Sequence, residues 1–413
     1  MKYILVIGDG MADNPVPELG GRTPLEAADK PFIDALAGSA LLGSALTVPK
    51  EQVPGSDTAI LSIFGCDPNR YYTGRSPLEA AGAGVQLQPG DVSYRCNMIT
   101  LEEGDMPFEE KRILSHSAGS IDGETSIALV QWLFGEPEFH AAAERAGMHV
   151  EPSPSFRHIA VQRNGDIRGF VAPPPHDHLG EVIGGIRLHG NQNADALWEL
   201  MRLANRKLSG HPINAKRVQE GKKPANGIWF WAEGTAVQLP SFTQAHHVRG
   251  SVISAVPLVH GIGALVGLER IFVDGATGEN DSNFEGKVAA GIEALEKGDD
   301  FICVHVEAPD EATHNGNLEE KLEAIQILSE RVVKPLCSAM NARGMDYRML
   351  LLSDHKTLMS TRGHDGDPVP FMIYDSTAKQ GSGLPYTERS GLAGPFVDPG
   401  TRLMRILFQE ETL

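Results

Sequence analysis

Cysteine is scarce. Four residues, Cys66, Cys96, Cys303 and Cys337, stand far apart in a chain of 413, and none forms a C-x-x-C pair. This pattern argues against a disulfide framework and against a cysteine-rich zinc site. Long apolar runs are also lacking: nothing approaches the roughly 20 residues that a membrane-spanning helix needs. The opening MKYILVIGDG turns polar at Gly8-Asp9-Gly10 and has neither the length nor the cleavage pattern of a signal peptide, so a soluble cytoplasmic protein is expected. Basic residues are in deficit. Lys+Arg 36 against Asp+Glu 54 leaves a formal charge of −18 at pH 7, a field that opposes nucleic acid and anionic membrane as partners. An anionic substrate would therefore need a local positive device, either clustered arginines or metal ions. Internal repeats and low-complexity tracts are missing too.

What is present is enough apolar sequence, 41%, to bury a core, in a length that suits one large layered unit or two ordinary domains. Lys2–Ile7 is a short β-branched run that reads as a strand buried on both faces, delivering Asp9 into a loop. Thr23-Pro24-Leu25-Glu26 has the N-cap, N1 proline and N3 glutamate of a helix start. The last third repeats this grammar. Strands are expected at 253–259, 270–274, 301–306, 347–353 and 370–374, and helices at 284–295 and 317–336. Strand–loop–helix alternation implies a doubly wound α/β core, in which ligands gather at the carboxyl ends of strands. The middle differs in texture, with shorter strand-like segments, the Pro-rich loop 172–176 and an amphipathic helix over 194–208. This predicts a core from residues 1–75 and 252–413, interrupted by an inserted α+β domain at 76–251.

Several strand ends carry chemistry. Asp310 and His314 stand at i, i+4, so both reach one cation from a single helical face. Asp354-His355 follows a strand, His364 comes shortly after, and Asp9 ends the first strand. Ser56, in Pro54-Gly55-Ser56-Asp57-Thr58, opens a helical pattern, where unpaired backbone N–H groups favour a phosphate. Mixed carboxylate and imidazole ligands suit Zn²⁺ or Mn²⁺ better than Mg²⁺ or Ca²⁺. Two such ions would lower the pKa of a bound hydroxyl and neutralise a transferring phosphoryl group.

These segments resemble the alkaline-phosphatase-type metalloenzymes and, within them, are similar to the archaeal-type cofactor-independent phosphoglycerate mutases. The resemblance is carried by Gly8–Asp13, Pro54–Ala59, Tyr72–Ala80, Arg95-Cys96-Asn97, Gly275–Gly278, Val304–His314, Ser353-Asp354-His355 and His364–Pro370. It implies an alkaline-phosphatase-like core with an inserted substrate domain. It implies one metal on Asp9, Ser56, Asp354 and His355, and another on Asp310, His314 and His364. Ser56 would be the nucleophile, forming a phosphoserine while 3-phosphoglycerate and 2-phosphoglycerate interconvert without a bisphosphate cofactor. Substrate contacts are expected from Arg75, Arg95, Arg157 and His176, and from Lys287, with His116 a further candidate acid or base. One segment departs from the family: Ser115–Ile121 stands where the archaeal mutases carry an arginine-rich stretch. A bacterial branch proposed to phosphorylate homoserine resembles it better there. The alternatives are therefore a phosphotransferase acting on another small alcohol and a phosphomonoester hydrolase.

Overall fold

The computed structural model describes residues 1–378, 381 and 383–413. The chain divides into two compact units, Met1–Tyr72 with Gln238–Leu413, and Thr73–Val237.

The first unit is built on a mixed sheet of eight strands. Lys2–Gly8 lies at its centre and pairs in parallel with Phe301–Val306 on one side and Tyr347–Leu352 on the other. Beyond Phe301–Val306 come Gly250–Ile253 and Glu269–Ile271, also parallel. Beyond Tyr347–Leu352, Val369–Asp375 runs antiparallel and pairs with Leu41–Ala45, which Phe396–Val397 closes off. Ile4, Val6, Ile302, Val304, Met349 and Leu351 share one core cluster with Val288, Ile292 and Leu336 from flanking helices. Helix-covered central strands explain why these runs are apolar throughout rather than alternating. The α/β architecture is the one the sequence implies.

Local differences have identifiable causes. The strand expected from Ile253 ends there, and Pro257–Leu265 is a helix with Pro at its first turn, where the missing N–H costs nothing. The helix expected over 317–336 runs as Leu318–Ile327, a wider π turn at Leu328–Val333, and Lys334–Ala342. Pro335 cannot donate the N–H that a continuous helix requires. Thr23 does form a capping box with Glu26, but that helix stops at Ala27.

The second unit begins at Thr73 rather than at 76 and ends at Val237 rather than at 251. The later boundary moves because Gly250–Ile253 is hydrogen-bonded into the first unit's sheet, beside Phe301–Val304. Within the second unit, Val92–Leu101 is the hub of an antiparallel sheet, pairing with Arg157–Gln162, Gly227–Thr235 and Ile113–Ser115. The helix Gln192–Ser209 buries Leu197, Trp198 and Met201 in the same core cluster as Trp229 and Phe230. Among the described residues, no helix is long and apolar enough to cross a membrane.

Candidate metal centre

Parallel registry brings the chemistry together. Gly8 stands opposite Val306 and Ile7 opposite Leu352, so the three central strands end side by side. Asp9 follows the first, the helix Ala308–His314 follows the second, and Asp354-His355 follows the third. Residue 10 favours glycine strongly. Its φ is 59°, and a Cβ there would come within 2.4 Å of Thr357 Oγ1 and 2.6 Å of Asp310 Oδ1.

Each acidic side chain has one oxygen committed and one left over. Asp354 Oδ1 accepts from the backbone N–H groups of Gly10 (3.1 Å) and His355 (2.8 Å). Asp9 Oδ2 is met by His305 Nε2 at 3.0 Å and Ser56 Oγ at 3.3 Å. Asp354 Oδ2 and Asp9 Oδ1 are buried without a hydrogen-bond partner. Both point at His355 Nε2, at 3.4 and 3.6 Å, and Ser56 Oγ lies 3.1 Å from the same nitrogen. His355 Nδ1 faces Thr357 Oγ1 and the Lys356 carbonyl, both at 3.2 Å.

The neighbouring group uses the same device. His314 turns Nδ1 to the Arg362 carbonyl at 2.8 Å, and His364 turns its Nδ1 to the Pro54 carbonyl at 3.3 Å. Their Nε2 atoms converge at 3.0 Å, close to Asp310 Oδ2 and Oδ1 at 3.1 and 3.6 Å. Backbone carbonyls that take the Nδ1 hydrogens leave Nε2 as the ligand atom, the usual orientation of metal-bound imidazole.

This donor set fits divalent cations. Burial first, and then Asp354 and Asp310, push the Asp9 carboxyl well above its ordinary range. A buried cluster of carboxylates ionises fully only with a counter-charge. Asp9, Asp354 and His355 form one group whose ligand atoms lie within 4.8 Å of one another, and Asp310, His355 and His364 form another. His355 thus stands between the two sets that the resemblance implies.

Of the expected substrate contacts, Arg95, Arg157 and His176 meet around Trp231 in the second unit. The guanidinium carbons lie 4.7 and 5.8 Å from its rings, and the imidazole 5.1 Å. Arg75 joins them through Glu79, which accepts from Arg75 Nε at 3.0 Å and Arg95 Nε at 2.8 Å. Arg157 Nε and His116 Nδ1 are buried without a hydrogen-bond partner. Lys287 lies in the first unit, buried, with Nζ donating to the His305 carbonyl at 3.1 Å; burial lowers it to about 8. Three contributors escaped the sequence reading: His305, Thr357 and Glu79. His305 left a signal, an imidazole inside an otherwise apolar strand just before an acidic segment, and Glu79 left another, four residues after Arg75 on one helix.

Comparison with known proteins agrees. The family model of 2,3-bisphosphoglycerate-independent phosphoglycerate mutase matches residues 37–214. A protein of Geobacter sulfurreducens named a probable mutase of this kind is 44% identical, over 98% of this chain and 99% of its own. The chain belongs to this family. A Methanosarcina acetivorans mutase is 43% identical over 95% of both chains. Among solved structures, a Pyrococcus horikoshii protein superposes on the whole chain and 98% of its own, with a TM-score of 0.81 and 28% identity. The cofactor-independent phosphoglycerate mutase of Thermoplasma acidophilum gives 0.63 and 26%, over 99% of this chain and all of its own.

Proposed function

We propose that this protein interconverts 3-phosphoglycerate and 2-phosphoglycerate, with Ser56 as the nucleophile. The observation that carries the reading is the convergence of Asp9 Oδ1, Asp354 Oδ2 and His355 Nε2 beside the Ser56 hydroxyl. Asp9, Ser56, Asp354 and His355 would hold one divalent ion, and Asp310, His314 and His364 the other, with Mn²⁺ or Zn²⁺ favoured by the nitrogen ligands. When bound, the ions lower the pKa of the serine hydroxyl and offset charge on the phosphoryl oxygens.

Ser56 stands at the first position of the helix Ser56–Ile63, a helix N-terminus of the kind that favours phosphate oxygens. Oγ attacks phosphorus, the bond from phosphorus to the substrate oxygen breaks, and that oxygen takes a proton as glycerate leaves. The other glycerate hydroxyl then attacks the phosphoserine, loses its proton, and Ser56 is regenerated. Splitting the transfer in two is the benefit of covalent catalysis. Arg75, Arg95, Arg157 and His176 are the groups we assign to anionic substrate recognition, with Lys287, whose Nζ donates to the His305 carbonyl, a further candidate. Glu79 orders the arginines: burial alone would raise its carboxyl, but Arg95 first, with Arg75 and Arg157, brings it down to about 2.

The segment Ser115–Ser120 favours a second acceptor as an alternative. It is a tight serine turn in which Ser115 Oγ accepts from Gly119 N at 2.9 Å, and it offers no guanidinium. A substrate panel separates the readings. Mn²⁺-loaded protein should convert 3-phosphoglycerate in an enolase-coupled assay, and Ser56→Ala should lower kcat by roughly a thousandfold or more. Metal-loaded protein that leaves phosphoglycerate untouched, yet phosphorylates homoserine or hydrolyses an aryl phosphate, would reject the mutase reading.

A further inference from the structure

We infer that His305 is a positioning residue that selects which oxygen of Asp9 is presented to a cation. The inference rests on the reading of Asp9 as a metal ligand. His305 lies on Phe301–Val306, opposite Ile7 in the sheet register, and is fully buried. Its Nδ1 is 3.1 Å from Ser254 Oγ, and its Nε2 is 3.0 Å from Asp9 Oδ2.

The hydrogen-bond network assigns the ring proton. Ser254 Oγ already accepts from the Val256 backbone N–H at 2.9 Å, so its own hydrogen is available to His305 Nδ1. At the other nitrogen, an ionised Asp9 carboxylate can only accept, so the proton resides on Nε2, where it is donated to Oδ2, and Nδ1 is the acceptor. Oδ2 is engaged, and Oδ1 is the oxygen that faces His355 Nε2. Asp354 has its orientation fixed by two backbone N–H groups. Asp9 has a relay instead, Val256 N–H to Ser254 to His305 to Asp9. The strand Gly250–Ile253, which leads into Ser254 and bears none of the seven expected ligands, thereby helps set the site. Without this donor, the Asp9 carboxylate keeps only the longer 3.3 Å contact with Ser56 Oγ, and more of its ordering falls on the ion itself.

Titration with Mn²⁺, read as the electron paramagnetic resonance signal of free ion, tests this apart from turnover. Wild-type protein should bind two ions. His305→Leu should weaken one of them by about 10–100-fold and leave the other unchanged. His305→Gln, whose amide can donate near the position of Nε2, should recover most of the loss, which a purely space-filling role would not produce. Wild-type affinity for both ions in His305→Leu, or a glutamine variant as weak as the leucine one, overturns the inference. Should His305→Leu fail to fold, Ser254→Ala carries the test: weaker binding of the same ion is expected, and unchanged binding overturns the relay. A wild-type protein that binds no Mn²⁺ overturns the metal reading itself, a result distinct from all of these.

Discussion

Lys321 Nζ donates to Asp13 Oδ2 over 2.9 Å, and both side chains are buried. The same ammonium donates to the Thr357 carbonyl at 2.7 Å, and the same carboxylate oxygen accepts from the Met359 backbone N–H at 3.1 Å. The pair therefore clamps the loop after the first strand onto the segment Thr357–Met359 that follows Asp354-His355. Breaking one half of such a pair leaves a charge buried and unpaired. We expect Lys321→Met to cost about 3–5 kcal/mol of stability in urea unfolding, and Lys321→Met with Asp13→Leu to recover a substantial part.

Gly10→Ala should fold but bind divalent ions poorly. The added carbon has to displace Thr357 Oγ1 and the Asp310 carboxylate, and the residue must hold a left-handed φ of 59°. Calorimetric Mn²⁺ titration should show at least about a tenfold loss of affinity, on the order of 1.4 kcal/mol. Unchanged binding would mean that the turn relaxes at no cost to the ligands.

Glu79→Gln should act through the arginines. A neutral amide cannot balance Arg75, Arg95 and Arg157, and its geometry cannot accept from two guanidinium groups as a carboxylate does. Under the proposed function, KM for phosphoglycerate should rise about tenfold while kcat changes less, a shift of roughly 1.4 kcal/mol in binding. Because the folded carboxyl lies at about 2, below its unfolded value, the stability it confers is present above the unfolded pKa and disappears only as pH falls through the folded one. Acid unfolding of Glu79→Gln should accordingly lack part of the wild-type pH dependence in that low range.

His158 gives a second pH signature. Its Nδ1 accepts from Ser153 N at 3.0 Å and its Nε2 faces Ser126 Oγ at 2.9 Å, so the ring is held neutral, and burial lowers it to about 4. A histidine whose folded pKa is depressed contributes stability that is present above its unfolded pKa and lost as pH falls toward the folded value. Between roughly pH 6.5 and 4 the urea midpoint should fall, with a contribution of up to about 1.4 kcal/mol per pH unit. His158→Gln should flatten that portion of the curve.

The sequence by itself determined the alternation of strands and helices, because burial on both faces writes continuous apolar runs such as Lys2–Gly8 and Tyr347–Leu352. It also marked Asp9, Ser56, Asp310, His314, Asp354, His355 and His364 as candidate ligands, because acidic and imidazole side chains at strand ends and at i, i+4 leave a local mark. Tertiary structure alone decided how each ligand is aimed. The carbonyls of Arg362 and Pro54 that turn His314 and His364, and the Ser254–His305 relay to Asp9, are contacts between segments far apart in the chain. It also decided that Arg95 joins Glu79, which Arg75 already meets at i, i+4 on one helix. A hydrogen bond across such separations depends on strand order and registry, which no single segment encodes; they emerge when the sheet assembles.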